Sequence, residues 1–85
     1  MSLGYRYALD GTCCEVFNGL SRRQRDRLLA SFRRLADAPF TAGDYRETDQ
    51  RGLPLEVGLV EDDFLVTWHV DHAAKEVRVI GLELV

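Results

Sequence analysis

The chain has 85 residues, of which 46% are hydrophobic and 29% are charged, and its net charge is −3. A chain of this length folds around one core, so we expect a single domain over residues 1–85. No apolar run approaches the roughly 20 residues that span a bilayer, and we find no basic segment followed by an apolar core at the N-terminus. These features exclude a membrane-spanning or disordered chain and predict a cytoplasmic globular domain.

The two parts of the chain carry opposite charge. Residues 1–40 contain seven arginines and four acids, whereas residues 41–85 contain four basic and ten acidic residues. A nucleic-acid-binding domain is usually basic throughout. The acidic second part therefore argues against tight nonspecific binding of RNA or DNA, and favours a basic protein partner or no charged ligand.

The first part of the chain predicts one strand and two helices. Residues 5–9 alternate and predict a short strand, and residues 10–11 turn the chain. Thr12 is the predicted N-cap of a short helix, which the Asn-Gly pair at 18–19 ends.

The second helix has clear boundary signals. Ser21 and Gln24 form a capping box at its start, and Pro39 ends it near Asp37 or Ala38. Apolar residues at spacings of three and four form one stripe along it. The stripe consists of Leu28, Leu29, Phe32, Leu35 and Ala36.

The second part of the chain predicts a strand meander. Residues 43–50 predict either an edge strand or an extended loop. Residues 53–60 alternate as a half-buried strand does, and the charged residues 61–63 form a hairpin turn. A second turn over residues 71–74 precedes the last strand at 77–84.

Short turns join neighbouring strands in opposite directions. The predicted fold is therefore α+β, with one antiparallel-dominated twisted sheet, two N-terminal helices on one face and the order βααββββ. The predicted helix-facing set is Leu55, Val57, Phe64, Val66, Trp68 and Val70, joined by Val77 and Val79 or, alternatively, by Ile80 and Leu82. The predicted exposed set is Glu56, Gly58, Leu65, Thr67, His69 and Arg78.

Cysteines and histidines offer no convincing metal site. Cys13 and Cys14 are adjacent, which strains a disulfide between them, and no residues at ligand spacing accompany them, so they receive no role. His69 and His72 are an odd number of positions apart, which places them on opposite strand faces. Asp71 between them also fits a ring-orienting carboxylate. We expect two ordinary histidines, no metal and no cofactor.

Two groups of polar residues are candidates for function. On the exposed sheet face, Glu56, His69 and Arg78, with Thr67, would supply a base, an acid and a cation, although an exposed antiparallel face is also polar simply because it is wet. The second group is a basic helix face that would dock an acidic partner, although solvated helix arginines are common. It consists of Arg22, Arg23, Arg27, Arg33 and Arg34. Leu65 and Val60 add apolar area that is typical of a binding surface.

The element order and the segments RLADAP, QRGLPLEVGLVEDDFLVTWHVD and KEVRVIGLEL resemble the RelE/ParE superfamily of toxins from bacterial toxin-antitoxin and plasmid-stabilisation modules. The resemblance covers nearly the whole chain and implies an antitoxin partner. For RelE-type members it implies ribosome-dependent cleavage of messenger RNA, which requires cations beside the phosphate. For ParE-type members it implies inhibition of DNA gyrase.

This sequence departs from the nuclease pattern at its charged positions. Glu56 and Gly58 replace lysines expected on the central strand, Leu65 replaces an arginine expected after the hairpin, and Leu82 and Glu83 stand where another arginine is expected. The chain also ends without a C-terminal tyrosine. We therefore predict a toxin-like protein that binds an antitoxin or a cellular target. The alternatives are a residual messenger RNA endonuclease that uses Glu56, His69 and an arginine, and a stand-alone homodimer.

Overall fold

The computed structural model describes residues 4–85. The elements are β1 (Arg6–Leu9), α1 (Gly11–Asn18), α2 (Arg22–Asp37), β2 (Tyr45–Thr48), β3 (Pro54–Val60), β4 (Phe64–Asp71) and β5 (Glu76–Leu84). The predicted α+β class is confirmed, and the elements follow one another as the sequence predicts. The segment at 43–50, which predicts a strand or a loop, contains strand β2.

The five strands form one mixed sheet in the order β1-β5-β4-β3-β2. The meander from β2 to β5 is antiparallel throughout, whereas β1 pairs with β5 in parallel. A parallel pair needs a long crossover, and here the crossover contains both helices and three strands. Connection lengths predict the antiparallel pairs but say nothing of this long-range pair.

Both helices pack on one face of the sheet, where the core lies. Leu28 and Phe32 of α2 and Cys13 of α1 are inaccessible or nearly so. They meet side chains of β4 and β5 in one apolar cluster. The strand residues of this cluster are Phe64, Val66, Trp68, Val77, Val79 and Leu82.

The β3–β4 register corrects the predicted facing of β3. Glu56 lies opposite Trp68, and Val57 lies opposite Thr67. Directly opposed residues on antiparallel strands share a face. Glu56 therefore lies on the helix side with Trp68, and the prediction that Leu55 and Val57 face the helices is wrong. Leu55 and Val57 are nevertheless buried on the other face, so both faces of β3 are covered and alternation alone does not reveal which one meets the helices.

Gly58 also belongs to the helix side, against the prediction that it is exposed with Leu65 and Thr67. It lies opposite Val66, and a Cβ added to it would come within 3.3 Å of the Trp68 ring. Because Gly58 has no side chain, the indole of Trp68 can lie close to the backbone of β3.

A β-bulge settles which residues of β5 face the core. Thr67 pairs with Gly81 and Trp68 pairs with Val79, so Ile80 is an extra residue in β5. The insertion shifts the alternation by one position. Val79 before the bulge and Leu82 after it therefore both face the helices, and Ile80 does not.

The helix boundaries test the capping signals. Ser21 and Gln24 form the predicted capping box, and α2 ends at Asp37, as predicted. For α1 the predicted cap is wrong: the N-cap is Asp10, whose Oδ1 accepts a hydrogen bond of 2.8 Å from the Cys13 N–H. Thr12 lies inside the helix.

Candidate functional site

We call the sheet surface opposite the helices the helix-free face. His69 and Arg78 are paired across β4 and β5 on this face, and both line a cavity of about 240 Å³. Asp49 and Leu53 of the β2–β3 connection and Ile80 of β5 also line it. The structure thus brings together the predicted imidazole and guanidinium, a combination that binds anions or exchanges protons.

Glu56 lies on the opposite sheet face from His69 and Arg78, which corrects the prediction that the three share one face, although Glu56 and His69 both line a different cavity at the end of the sheet. Its side chain lies on the helix side, where one carboxylate oxygen accepts a 2.6 Å hydrogen bond from Arg46 Nε. The other accepts a 3.0 Å hydrogen bond from the Gly43 N–H. These two contacts lower the pKa of Glu56, with Arg46 as the larger cause. Glu56 is therefore an ionised anchor for the α2–β2 connection.

The charged groups around the helix-free cavity are also engaged. Arg78 Nε lies 3.3 Å from a carboxylate oxygen of Glu76. Asp49 Oδ1 accepts hydrogen bonds from the backbone N–H groups of Arg51 and Leu53. These contacts hold the loop and the strand, and within residues 4–85 no carboxylate is hydrogen-bonded to the His69 ring to orient it for catalysis.

The arginines of α2 do not form one uniform surface. Arg27 pairs with Glu61 at 3.0 Å and with Asp63 at 3.3 Å, and Arg34 pairs with Glu61 at 3.4 Å. Hydrogen bonding from Arg27, followed by that from Arg34, lowers the pKa of Glu61. The hairpin between β3 and β4 therefore neutralises this flank of the helix.

The remaining predicted docking arginines are Arg22, Arg23 and Arg33. All are exposed, and none has an ion-pair partner within residues 4–85. Their predicted role in partner binding stays a prediction.

The helix-free face carries exposed apolar side chains. Tyr45 is 49% exposed, Leu59 is 46% exposed and Ile80 is 40% exposed. Leu65 lies opposite Leu59 and is half-buried. Val60, predicted to add to this surface, instead lies opposite Phe64 on the helix side. We call Tyr45, Leu59, Leu65 and Ile80 the apolar patch.

A second cavity, of about 260 Å³, lies at the end of the sheet near the start of β3. Phe40, which follows α2, stacks on His72 at one side of it, and Arg46 and Glu56 line another side. Sequence reasoning missed this site. Its one local signal is Phe40 itself, an aromatic residue that lies beyond the helix stop and outside the apolar stripe.

The cysteines and histidines form no metal site. Cys13 is buried and Cys14 is exposed, and both are free thiols. Burial, together with the nearby Asp10, raises the pKa of Cys13 from 9.0 to about 12. Within residues 4–85, no three His, Cys, Asp or Glu side chains are grouped so that they could hold a metal ion.

No protein-family model matches the sequence, and no curated protein matches it. Neither helix within residues 4–85 combines the length and apolar character that crossing a membrane requires.

Proposed function

We propose that this chain is a RelE/ParE-like component of a bacterial toxin-antitoxin module and acts by binding another protein, an antitoxin or a cellular target. The observation that carries the proposal is the apolar patch. An exposed sheet face that combines Tyr45, Leu59 and Ile80 is typical of a surface that a protein partner covers.

The edge strand β2 adds a second means of binding. Its residues, Tyr45–Thr48, are all exposed, and β3 is its one strand partner within residues 4–85. The outer backbone groups of β2 are therefore available to an extended segment of a partner, whose side chains would reach Tyr45 and Leu59 on the adjoining face.

A second copy of the chain fits this edge poorly. In a symmetric antiparallel pair of two β2 strands, directly opposed residues share a sheet face. The two-fold axis therefore lies between two copies of the same residue, which face each other across the interface. The two registers that use most of this short strand are centred on Arg46 and on Glu47. Each would place like charges directly opposite each other, which destabilises the pair. The edge therefore favours a different protein over a homodimer through β2.

RNA cleavage is the alternative activity, and the charge arrangement argues against it. Glu56 is paired with Arg46 and Arg78 with Glu76, and within residues 4–85 no carboxylate is hydrogen-bonded to His69, as an acid and base pair would require. Leu65 and Glu83 are paired on the helix-free face, where cleavage would need cations.

Expression in bacteria tests the toxin-antitoxin proposal directly. We expect induced expression to arrest growth and co-expression of the adjacent gene's product to relieve the arrest. Purified chain should bind that product. Unimpeded growth together with no complex between the two purified proteins would contradict the proposal.

Two variants test the binding surface. Leu59→Asp puts a charge into the apolar patch, and we expect it to weaken the complex by about tenfold or more, because buried anchor residues dominate interface energies. Arg23→Glu tests the other predicted docking surface, the exposed arginines of α2, and should leave affinity unchanged if the apolar patch holds the partner. Both affinities are measured by calorimetric titration. If Arg23→Glu abolishes binding and Leu59→Asp does not, the partner uses the helix arginines instead.

A further inference from the structure

Phe40 is an exposed aromatic side chain held on a fixed support. It is 75% exposed, although aromatic rings of this size are usually buried. Its ring stacks on His72 with centroids 4.8 Å apart and planes inclined by 13°. One side of the Phe40 ring is therefore fixed by contact, and most of the rest is left in water.

The support beneath Phe40 is itself fixed. His72 Nδ1 is hydrogen-bonded to the Tyr5 hydroxyl at 2.8 Å, and the Tyr5 ring lies edge-on to the imidazole with centroids 5.7 Å apart. The three rings come from the segment before β1, the α2–β2 connection and the β4–β5 turn. The stacked contact with His72, which Tyr5 holds in place, therefore orients Phe40 before any ligand arrives, and this lowers the entropic cost of binding.

The cavity beside Phe40 presents hydrogen-bond donors. Arg46 binds Glu56 through Nε, and its two terminal nitrogens make no hydrogen bond within residues 4–85. The Thr41 hydroxyl likewise has no partner among the described residues, and Pro54 adds an apolar wall. A ligand that fits must therefore be flat enough to stack and must carry hydrogen-bond acceptors.

Charge narrows the class of ligand. Arg46 and the ionised Glu56 compensate each other in the cavity, which therefore favours a ligand group without a net charge. The net charge of −6 over residues 41–85 disfavours a polyanionic RNA strand. A nucleobase is flat, presents carbonyl or ring-nitrogen acceptors, and carries no charge of its own.

We propose that the cavity beside Phe40 binds the base of a free nucleoside or nucleoside monophosphate. The base stacks on Phe40 and accepts hydrogen bonds from Arg46 and Thr41. This site lies apart from the apolar patch, and it does not depend on the toxin-antitoxin proposal.

Nuclear magnetic resonance titration of the labelled 85-residue chain tests the site. The probes are adenosine, guanosine, cytidine, uridine and their monophosphates. We expect at least one to cause saturable shifts at submillimolar to millimolar concentration, centred on the amides of residues 40–42 and 72. The absence of saturable shifts with every probe would overturn the proposal.

Matched substitutions locate the stacking contact. Phe40→Leu removes the ring from an exposed position and should weaken binding by about fivefold or more, which is the low end for losing one stacked base. Leu84→Ala removes an exposed apolar side chain that belongs neither to this cavity nor to the apolar patch, and it should leave affinity unchanged. Equal affinities of the wild type and Phe40→Leu would overturn the site.

Titration with a single-stranded oligoribonucleotide distinguishes a free nucleoside from an RNA strand as the source of the base. We expect it to bind no more tightly than the best mononucleoside at physiological salt. If the oligoribonucleotide binds about tenfold more tightly and loses that advantage in Phe40→Leu, the ligand is an RNA strand and the proposed class is wrong.

Discussion

Gly43 marks the closest approach of the α2–β2 connection to the sheet. A Cβ added there would lie 2.5 Å from the carbonyl oxygen of Val57 and 2.8 Å from its carbonyl carbon. The neighbouring atoms belong to backbone, so they cannot move aside as a flexible side chain would. The Gly43 N–H also donates to Glu56, which fixes the connection at this distance.

We expect Gly43→Ala to destabilise the fold by about 2 kcal/mol, as overpacking against a rigid neighbour does. Gly11→Ala is the matched control, because a Cβ there meets nothing within 4 Å and Gly11 is the first residue of α1. It should be neutral or stabilise by up to about 1 kcal/mol. Urea denaturation measures both, and coincident midpoints for the two variants would contradict the close approach.

At the scale of elements, the two helices show when a capping signal can be read from sequence. Ser21 and Gln24 satisfy each other reciprocally, so the pattern identifies the start of α2 without further information. Asp10 and Thr12 are both good cap residues, and the choice between them depends on the sheet. The Asp10 N–H donates to the carbonyl of Val79, which holds Asp10 in the extended conformation that a cap requires.

This assignment predicts unequal effects at two nearby positions. Asp10→Ala should destabilise the domain by about 1 kcal/mol, because the Cys13 amide loses its acceptor. Thr12→Ala should change stability by less than about 0.5 kcal/mol, since Thr12 is exposed within α1. Thermal and urea denaturation compare the variants, and a larger loss in Thr12→Ala would refute Asp10 as the cap.

Much of the fold can be predicted from local sequence patterns, because helices and hairpins depend on residues that are close together in the sequence. The facing of β3 is not readable, since Leu55 and Glu56 both lie on faces that carry apolar residues. Its register follows from the geometry of the β3–β4 turn. The position of the bulge at Ile80 and the parallel β1–β5 pair depend on residues distant in sequence, so alternation does not reveal them.

The candidate sites likewise differ in how far they can be predicted from the sequence. His69 and Arg78 were predictable neighbours on one face, because strand alternation and the short β4–β5 connection imply it. The contact between the rings of Tyr5, Phe40 and His72 was not predictable, because it joins three segments that only the folded chain brings together.

Ion pairs connect the helix layer to the sheet, in addition to the apolar core between them. Arg27 of α2 contacts both Glu61 and Asp63 of the β3–β4 hairpin. Glu61 has a lowered pKa in the folded chain because Arg27 hydrogen-bonds its ionised form. A carboxylate of this kind stabilises the fold at pH values above its unfolded pKa, and that stabilisation is lost as the pH falls through the folded pKa.

We therefore expect the free energy of unfolding to fall as the pH drops below the ordinary carboxyl pKa of 4.5. Glu61→Gln should reduce the difference in stability between about pH 7 and about pH 3.5, because this side chain no longer titrates. Glu15→Gln is the control, since Glu15 is exposed and its side chain has no partner within residues 4–85. Urea denaturation at both pH values measures the difference, and an equal decline in wild type and Glu61→Gln would rule out this contribution.

The parallel pairing of β1 with β5 has a consequence for how the chain is made. β5 lies between β1 and β4 in the sheet, although it is translated after the other four strands. A nascent chain can form α2 and the β2–β3–β4 meander, but β1 has no neighbour until residues 76–79 emerge. A chain that ends before β5 therefore cannot pair β1 with the rest of the sheet. Binding surfaces that depend on the complete sheet form only after β5 has been translated.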